Sequence, residues 1–567
     1  MQTLANSQVD RTPVRLALAL AVLLAGLTTS LAAAQDAPPD SANNIRGVVL
    51  NSVTHEPISR ALVASPDNHF ATMTDGQGHF EFVLPKAESG SLGSNRPTAL
   101  LARKPGYLTE SSFDPQLEVT AQDVSLLLVP EAHIIGHVEL PSGEGAERIT
   151  VEIYRRQAEE GRARWVPIAQ ATTRSTGEFR FADLAAGTYK LFTHELLDRD
   201  QPILAPESAK LYGYVPVYFP AAPDFASADA ITLTPGQTFQ ADLAVKRQAY
   251  YQVRVPVVGL PPEAGVAVSV SPGGHSPGNT LGYNQQSRRI EGILPQGNYV
   301  VEAVGLGFPV AGELNLAVRD VPSAARMTMV PTRPIPIHVK EEFASEEPEN
   351  LETNLRGPGR YLNVRLEPAD EFNPQNIINM EPPSNQNDHA LVLESAPPGR
   401  YWVHIDSSRG YAASILSGGV DLLREPLVVA EGASASSIEI TMRDDGAQIN
   451  GTIEGADPAL TASNVLTASL FGVNPPGAHT MFAYVYCLPM ADSPGRFTEA
   501  VASPDGAFTA LNLPPGSYRV LAFKRPQADL EYSDANAMRS YEAKGQVVHL
   551  AGGQTEHVTL QLITKGD

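Results

Sequence analysis

The sequence predicts an all-β protein, built as tandem Greek-key β-sandwich domains that follow a signal peptide. Three observations predict it. The first is a two-strand phrase that recurs along the chain, clearest at 503–525 as SPDGAFTALNLPPGSYRVLAFKR. Pro504-Asp505-Gly506 is a turn, because Pro fixes φ and Gly accepts φ > 0. Phe508 and Ala510 then share one face, LPPG breaks the strand, and Tyr518, Val520 and Ala522 alternate with Ser517, Arg519 and Leu521, the period of a half-buried strand. The phrase returns as STGEFRFADLAAGTYKL at 175–191, RIEGILPQGNYVV at 289–301 and LVLESAPPGRYWV at 391–403, with a glycine before the tyrosine at Gly187, Gly297, Gly399 and Gly516. Units of about 100 residues follow, a common domain size. The second observation is composition: 47 Pro and 45 Gly with only 18% charged residues favour short strands and many turns over helices. The third is length, since 567 residues exceed one core and suffice for about four or five.

In chain order, Arg11 and Arg15 precede an apolar run at 16–31, and Ala32-Ala33-Ala34 offers a small-residue cleavage site. The run is short for a membrane span, so residues 1–34 read as a signal peptide cleaved after Ala34, and the expected address is periplasmic or secreted. No other stretch approaches 18 apolar residues, so no membrane insertion of the mature chain is expected. Residues 35–43 are polar and Pro-containing and read as a disordered leader.

Unit one spans 44–130. It opens on Gly47-Val48-Val49, continues through Glu56-Pro57-Ile58 and Asp75-Gly76-Gln77-Gly78-His79-Phe80-Glu81-Phe82, and reaches a corner at Lys104-Pro105-Gly106-Tyr107. An insertion, KAESGSLGSNRP, reads as a polar loop. These motifs resemble the carboxypeptidase regulatory-like domain, a transthyretin-like β-sandwich. Unit two (131–247), unit three (248–332), unit four (333–444) and unit five (445–567) repeat the pattern with more variation; units three and four lack the Asp-Gly entry turn. Over 131–564 the chain resembles the tandem β-sandwich proteins with such domains that are abundant in acidobacteria. The resemblance implies a transthyretin-like or immunoglobulin-like fold and an envelope address, and no reaction. Short Pro-containing links such as Val330-Pro331-Thr332-Arg333-Pro334 suggest a semi-rigid rod.

The net charge of −22 repels nucleic acid and anionic lipid, so no nucleic-acid partner is expected. One cysteine, Cys487, excludes an intramolecular disulfide and reads as a buried, inert thiol among apolar strand residues. No H-E-x-x-H or P-loop occurs, and His55, His69 and His79 lack ligand spacing. Asp75-Gly76 and Asp444-Asp445-Gly446 lack the alternating oxygens and final Glu of a calcium loop and read as turns. Glu341-Glu342 and Glu346-Glu347 read as a solvated acidic loop. No catalytic residue, metal site or cofactor is expected. The candidate ligand-binding residues are the aromatics Tyr212, Tyr214, Tyr218 and Phe219 in LYGYVPVYFP, whose flat faces and hydroxyl rims suit sugar rings or Pro-rich peptides; the competing reading is a crossover anchored by those same rings. The expected function is an exported, non-catalytic structural or adhesive scaffold whose partner is an envelope protein or polysaccharide. A carbohydrate-binding accessory protein is the first alternative, and an enzyme with a site built between domains the second.

Overall fold

The computed structural model describes residues 44–563, apart from 66–68, 84–99, 109–122, 199–210, 273–275, 321–323, 345–357, 359–360, 373–376, 381–390, 394–395, 431–434, 455–482, 504, 525 and 528. The signal peptide, the leader, the polar insertion of unit one and Glu346-Glu347 lie outside the described residues. The regular structure of the described residues is nearly all β-strand; their one α-helix is the single turn Ala535–Met538.

The protein consists of tandem β-sandwich domains, each with two sheets and a cluster of apolar side chains between them. One wiring recurs five times. The first strand of each unit is Asn44–Asn51, Ala132–Glu139, Arg247–Val258, Ile335–Glu342 or Ala447–Ile453. It pairs antiparallel with His79–Val83, Glu178–Leu184, Arg289–Pro295, Leu391–Leu393 or Ala507–Leu513, and parallel with the closing strand. In the facing sheets of units two to five, Gly187–Thr193, Gly297–Leu306, Gly399–Ser407 and Gly516–Phe523 each pair antiparallel with the second strand of their unit.

The recurring residues have physical reasons. Gly47, Gly136 and Gly451 stand opposite Phe80, Phe179 and Phe508 across the ladder. A Cβ on these glycines would come within 2.5, 2.4 and 2.4 Å of the ring carbons. The Phe ring thus lies over the bare glycine backbone, which ties the opening G-x-V to the later Phe strand. The Gly-x-Tyr corner is a hydrogen-bonded device. The hydroxyls of Tyr189, Tyr299, Tyr401 and Tyr518 donate to the carbonyl four residues upstream, in Ala185, Pro295, Pro397 and Pro514, at 2.5, 3.0, 2.9 and 2.8 Å. Each tyrosine brings an apolar ring to its core and satisfies a carbonyl of the turn that precedes it. The Asp-Gly turns are side-chain caps: Asp75 Oδ1 accepts from the backbone N–H of Gln77 and His79 at 2.8 and 2.9 Å.

Two elements differ from the sequence reading. The strand Gly516–Phe523 is buried on both faces, because Leu521 and Phe523 enter a second apolar cluster with Tyr486, Leu488 and Leu530. The segment Leu211–Tyr214, inside unit two by sequence, pairs with Arg247–Val258 and so extends the sheet of unit three. The domains also do not form a simple rod: unit two touches units four and five through the hairpin described next.

Candidate functional site

The hairpin Thr150–Glu159 and Arg162–Thr172 of unit two turns at Glu160-Gly161, both with positive φ (46° and 76°). Its sequence, EEGRARW, alternates Arg162, Arg164 and intervening small residues, so the two guanidinium groups leave one strand near its tip. The tip enters the space between units four and five.

Arg164 is 3% exposed and donates to the carbonyls of Pro368 and Asp370 at 2.7 and 2.8 Å. Its second terminal nitrogen pairs with Oε1 of Glu367, itself 3% exposed, and Nε lies 3.8 Å from Glu159. The other Glu367 oxygen lies 2.8 Å from His404 Nε2, while His404 Nδ1 lies 2.7 Å from Glu160 at the hairpin turn. Glu160 also pairs with Arg365 at 3.3 Å, and Arg365 with Asp406 at 3.3 Å. The order Arg164–Glu367–His404–Glu160–Arg365 therefore crosses three times between units two and four. Unit five completes it: Arg496 donates to Val403 and Ile405 carbonyls at 2.7 and 3.2 Å, Arg156 pairs with Glu531 at 2.7 Å, and Arg155 with Asp529 at 2.9 Å.

Electrostatics follow from this burial. Burial alone would lower the pKa of His404, which is 2% exposed, but carboxylates on both ring nitrogens outweigh it and hold the value above the ordinary 6.5. A ring facing carboxylates on both sides suits imidazolium, which donates from both nitrogens. Burial would raise Glu160, yet His404, with Arg496 and Arg365, holds it down at about 2.

Apolar contacts close the junction. Gly161 sits against the Tyr532 ring, where a Cβ would meet Cγ at 2.5 Å, and Ser533 N–H donates to Gly161 O at 3.0 Å. Phe372 of unit four meets Phe225 of unit two edge-on at 5.2 Å, and the Arg162 guanidinium lies 3.7 Å from the centre of the Trp402 ring. Beside the junction opens a cleft of about 620 Å³ lined by units two, four and five.

The aromatic candidates do not share one open face. Tyr218 is 2% exposed, and its hydroxyl donates to Pro277 O at 2.5 Å. Tyr214 and Phe219 pack on the core of unit two. Tyr212 is 37% exposed, with Arg247 over its ring at 4.4 Å. The rings are divided because they anchor the crossover from unit two into the sheet of unit three. In unit five, Ser517 Oγ contacts both Asp492 and His549 Nδ1 (2.5 Å), but the carboxylate sits on the serine rather than orienting the histidine, which is not the order of a hydrolase relay. Among the described residues no group of three or more His, Cys, Asp and Glu is arranged to hold a metal ion, and no helix is long and apolar enough to cross a membrane. Cys487 is fully buried, and burial pushes its thiol up to about 12.

The sequence did not single out the junction residues. Arg164 and the carbonyl of Pro368 are separated by 204 positions, and Arg156 and Glu531 by 375, so no local spacing joins them. The one local signal is a strand in which arginines alternate toward a tryptophan, Arg162-Ala163-Arg164-Trp165.

No family model matches the chain, and no curated protein matches it. Among solved structures the chain is similar to the shaft pilin SpaA of Lactobacillus rhamnosus GG, at 11% identity over 36% of this chain and 97% of the pilin, with a TM-score of 0.19. It is similar to GBS52, the minor pilin of Streptococcus agalactiae, at 14% identity over 39% of this chain and 99% of that one, with a TM-score of 0.19. With (S)-allantoin synthase it shares 15% identity over 21% of this chain, with a TM-score of 0.13, and spans 42% of that protein's length. Likenesses of this size carry no functional argument.

Proposed function

We propose that this protein is an exported, non-catalytic β-sandwich scaffold of the cell envelope, opening on a carboxypeptidase regulatory-like domain, that presents its surfaces to an envelope protein or polysaccharide. The supporting observation is the buried chain of charges at the three-domain junction. Arg164, Glu367, His404 and Glu160 are engaged with one another across the interface, so their chemistry is used to fix domains relative to each other. Buried ion pairs of this kind serve geometry more than raw stability. A fixed array suits a spacer or adhesive platform, because a rigid partner loses less entropy on binding.

The test is retention without turnover. The chain from Gln35 onward is incubated with isolated envelope fractions and a polysaccharide panel, and both pellet and supernatant are analysed. The scaffold reading predicts that the protein sediments with at least one fraction and leaves it chemically unchanged. Release of new reducing ends or amino groups by the wild type would overturn the non-catalytic part. Absence of retention by every fraction would overturn the envelope part.

A further inference from the structure

The cleft beside the junction has a composition that the scaffold role does not use. In a chain of net charge −22, its lining carries Arg162, Arg424 and Arg519 together with the half-buried Arg496, against the carboxylates Glu160 and Glu542. Glu160 is already engaged by His404 and Arg365, and Arg496 by two carbonyls. Arg519 gives one bond to Tyr541 O at 3.2 Å, and Arg424 Nε lies 3.6 Å from Asp421. Apolar side chains share the lining: Leu423, Met490 and Met538 are half-buried and border the same space. The aromatic faces nearby are already covered, Trp402 by Arg162, and Phe497 by Tyr486 and Tyr532, which removes the open ring platform that sugars need.

We propose that this cleft binds an amphipathic organic anion, a carboxylate carried on an apolar chain of medium length. Guanidinium forks take carboxylates with two parallel hydrogen bonds. Methionine side chains are unbranched and adapt to an aliphatic chain. The volume, about 620 Å³, falls within the range of about 300–1,000 Å³ typical of ligand pockets. Burial lowers the pKa of Arg162, so a carboxylate beside it would offset a cost that the free protein carries. The inference goes beyond the scaffold reading: the cleft shares Glu160, His404 and Arg496 with the junction, but the binding rests on Arg162, Arg424 and Arg519, which the scaffold reading does not use.

The probe is decanoate, with decyltrimethylammonium as a cation of equal chain length. Binding to the full mature chain is followed by calorimetry and by tryptophan fluorescence, since Trp402 lines the cleft while Trp165 is buried outside it. The proposal expects saturable binding of decanoate and none of the cation. Arg424→Glu, on an exposed loop where folding should survive, should weaken binding about tenfold, the effect of losing about 1.4 kcal/mol. Met538→Glu, in the part of the lining that unit five supplies, should weaken it as well. No saturable heat or fluorescence change with decanoate, equal binding of the cation, or affinity unchanged in both variants would overturn the proposal.

Discussion

Glu367 touches Arg164 on one side and His404 on the other, and all three are almost wholly removed from water. Glu367→Ala would leave a buried guanidinium without its counter-ion, a loss of about 3–5 kcal/mol. Chemical denaturation should show this as a lowered midpoint, while Glu425→Ala, at an exposed bend of the same unit, should leave it within about 0.5 kcal/mol of the wild type. The pH dependence has two limbs. His404 is raised when folded, so its contribution is complete below about pH 6.5 and is lost as pH rises through the higher folded value. Glu160 is depressed to about 2, so its contribution is present above its ordinary value near 4.5 and is lost as pH falls toward 2. The junction should be most stable between these limits. Thermal unfolding across pH should show it, and His404→Gln should remove the alkaline limb and shrink the acid limb, because His404 helps to hold Glu160 down. Glu195 works in the opposite sense. Burial raises it to about 7, with Thr280 donating to it at 3.0 Å, so wild-type stability relative to Glu195→Gln should fall as pH rises from 4.5 to 7.

At the scale of elements, the corner and the Phe-over-glycine contact carry the repeated sandwich. Tyr518→Phe keeps the ring in the core of unit five but leaves the Pro514 carbonyl without its donor, which costs about 1–3 kcal/mol. Gly451→Ala would place a methyl 2.4 Å from the Phe508 ring and 2.8 Å from Val558. Overpacking of this kind costs about 1–3 kcal/mol, and Phe508→Leu in the same chain should recover part of it. A double-mutant cycle in denaturant that gives simple additivity would contradict the contact. The turns, the alternating strands and the Gly-x-Tyr phrase were legible in the sequence because their determinants are local, whereas the pairing of Gly451 with Phe508 joins distant strands and was not. The reading went astray where tertiary context intervened. The second face of Gly516–Phe523 is covered by the 530–541 segment, and no alternation could reveal a cover that arrives from elsewhere. The aromatic run was legible as a crossover, yet Leu211–Tyr214 joins the next unit's sheet, a choice made by the free edge of Arg247–Val258.

For the whole molecule, the tip of one hairpin makes three sandwiches into one body. Short proline links suggested a rod, but links constrain only neighbours in sequence, whereas Arg156 and Arg164 reach partners hundreds of residues away. The junction was hidden for the same reason: each of its residues looks like an ordinary surface charge until the distant strand is placed beside it. The central claim is that this hairpin holds units two, four and five in a fixed arrangement. The most direct measurement is the distance distribution between spin labels at Gln170 in unit two and Thr555 in unit five, both exposed, with the buried Cys487 left unlabelled. The account predicts one narrow distribution in the wild type that broadens in Glu367→Ala. A broad distribution in the wild type, or one that Glu367→Ala leaves unchanged, would contradict it.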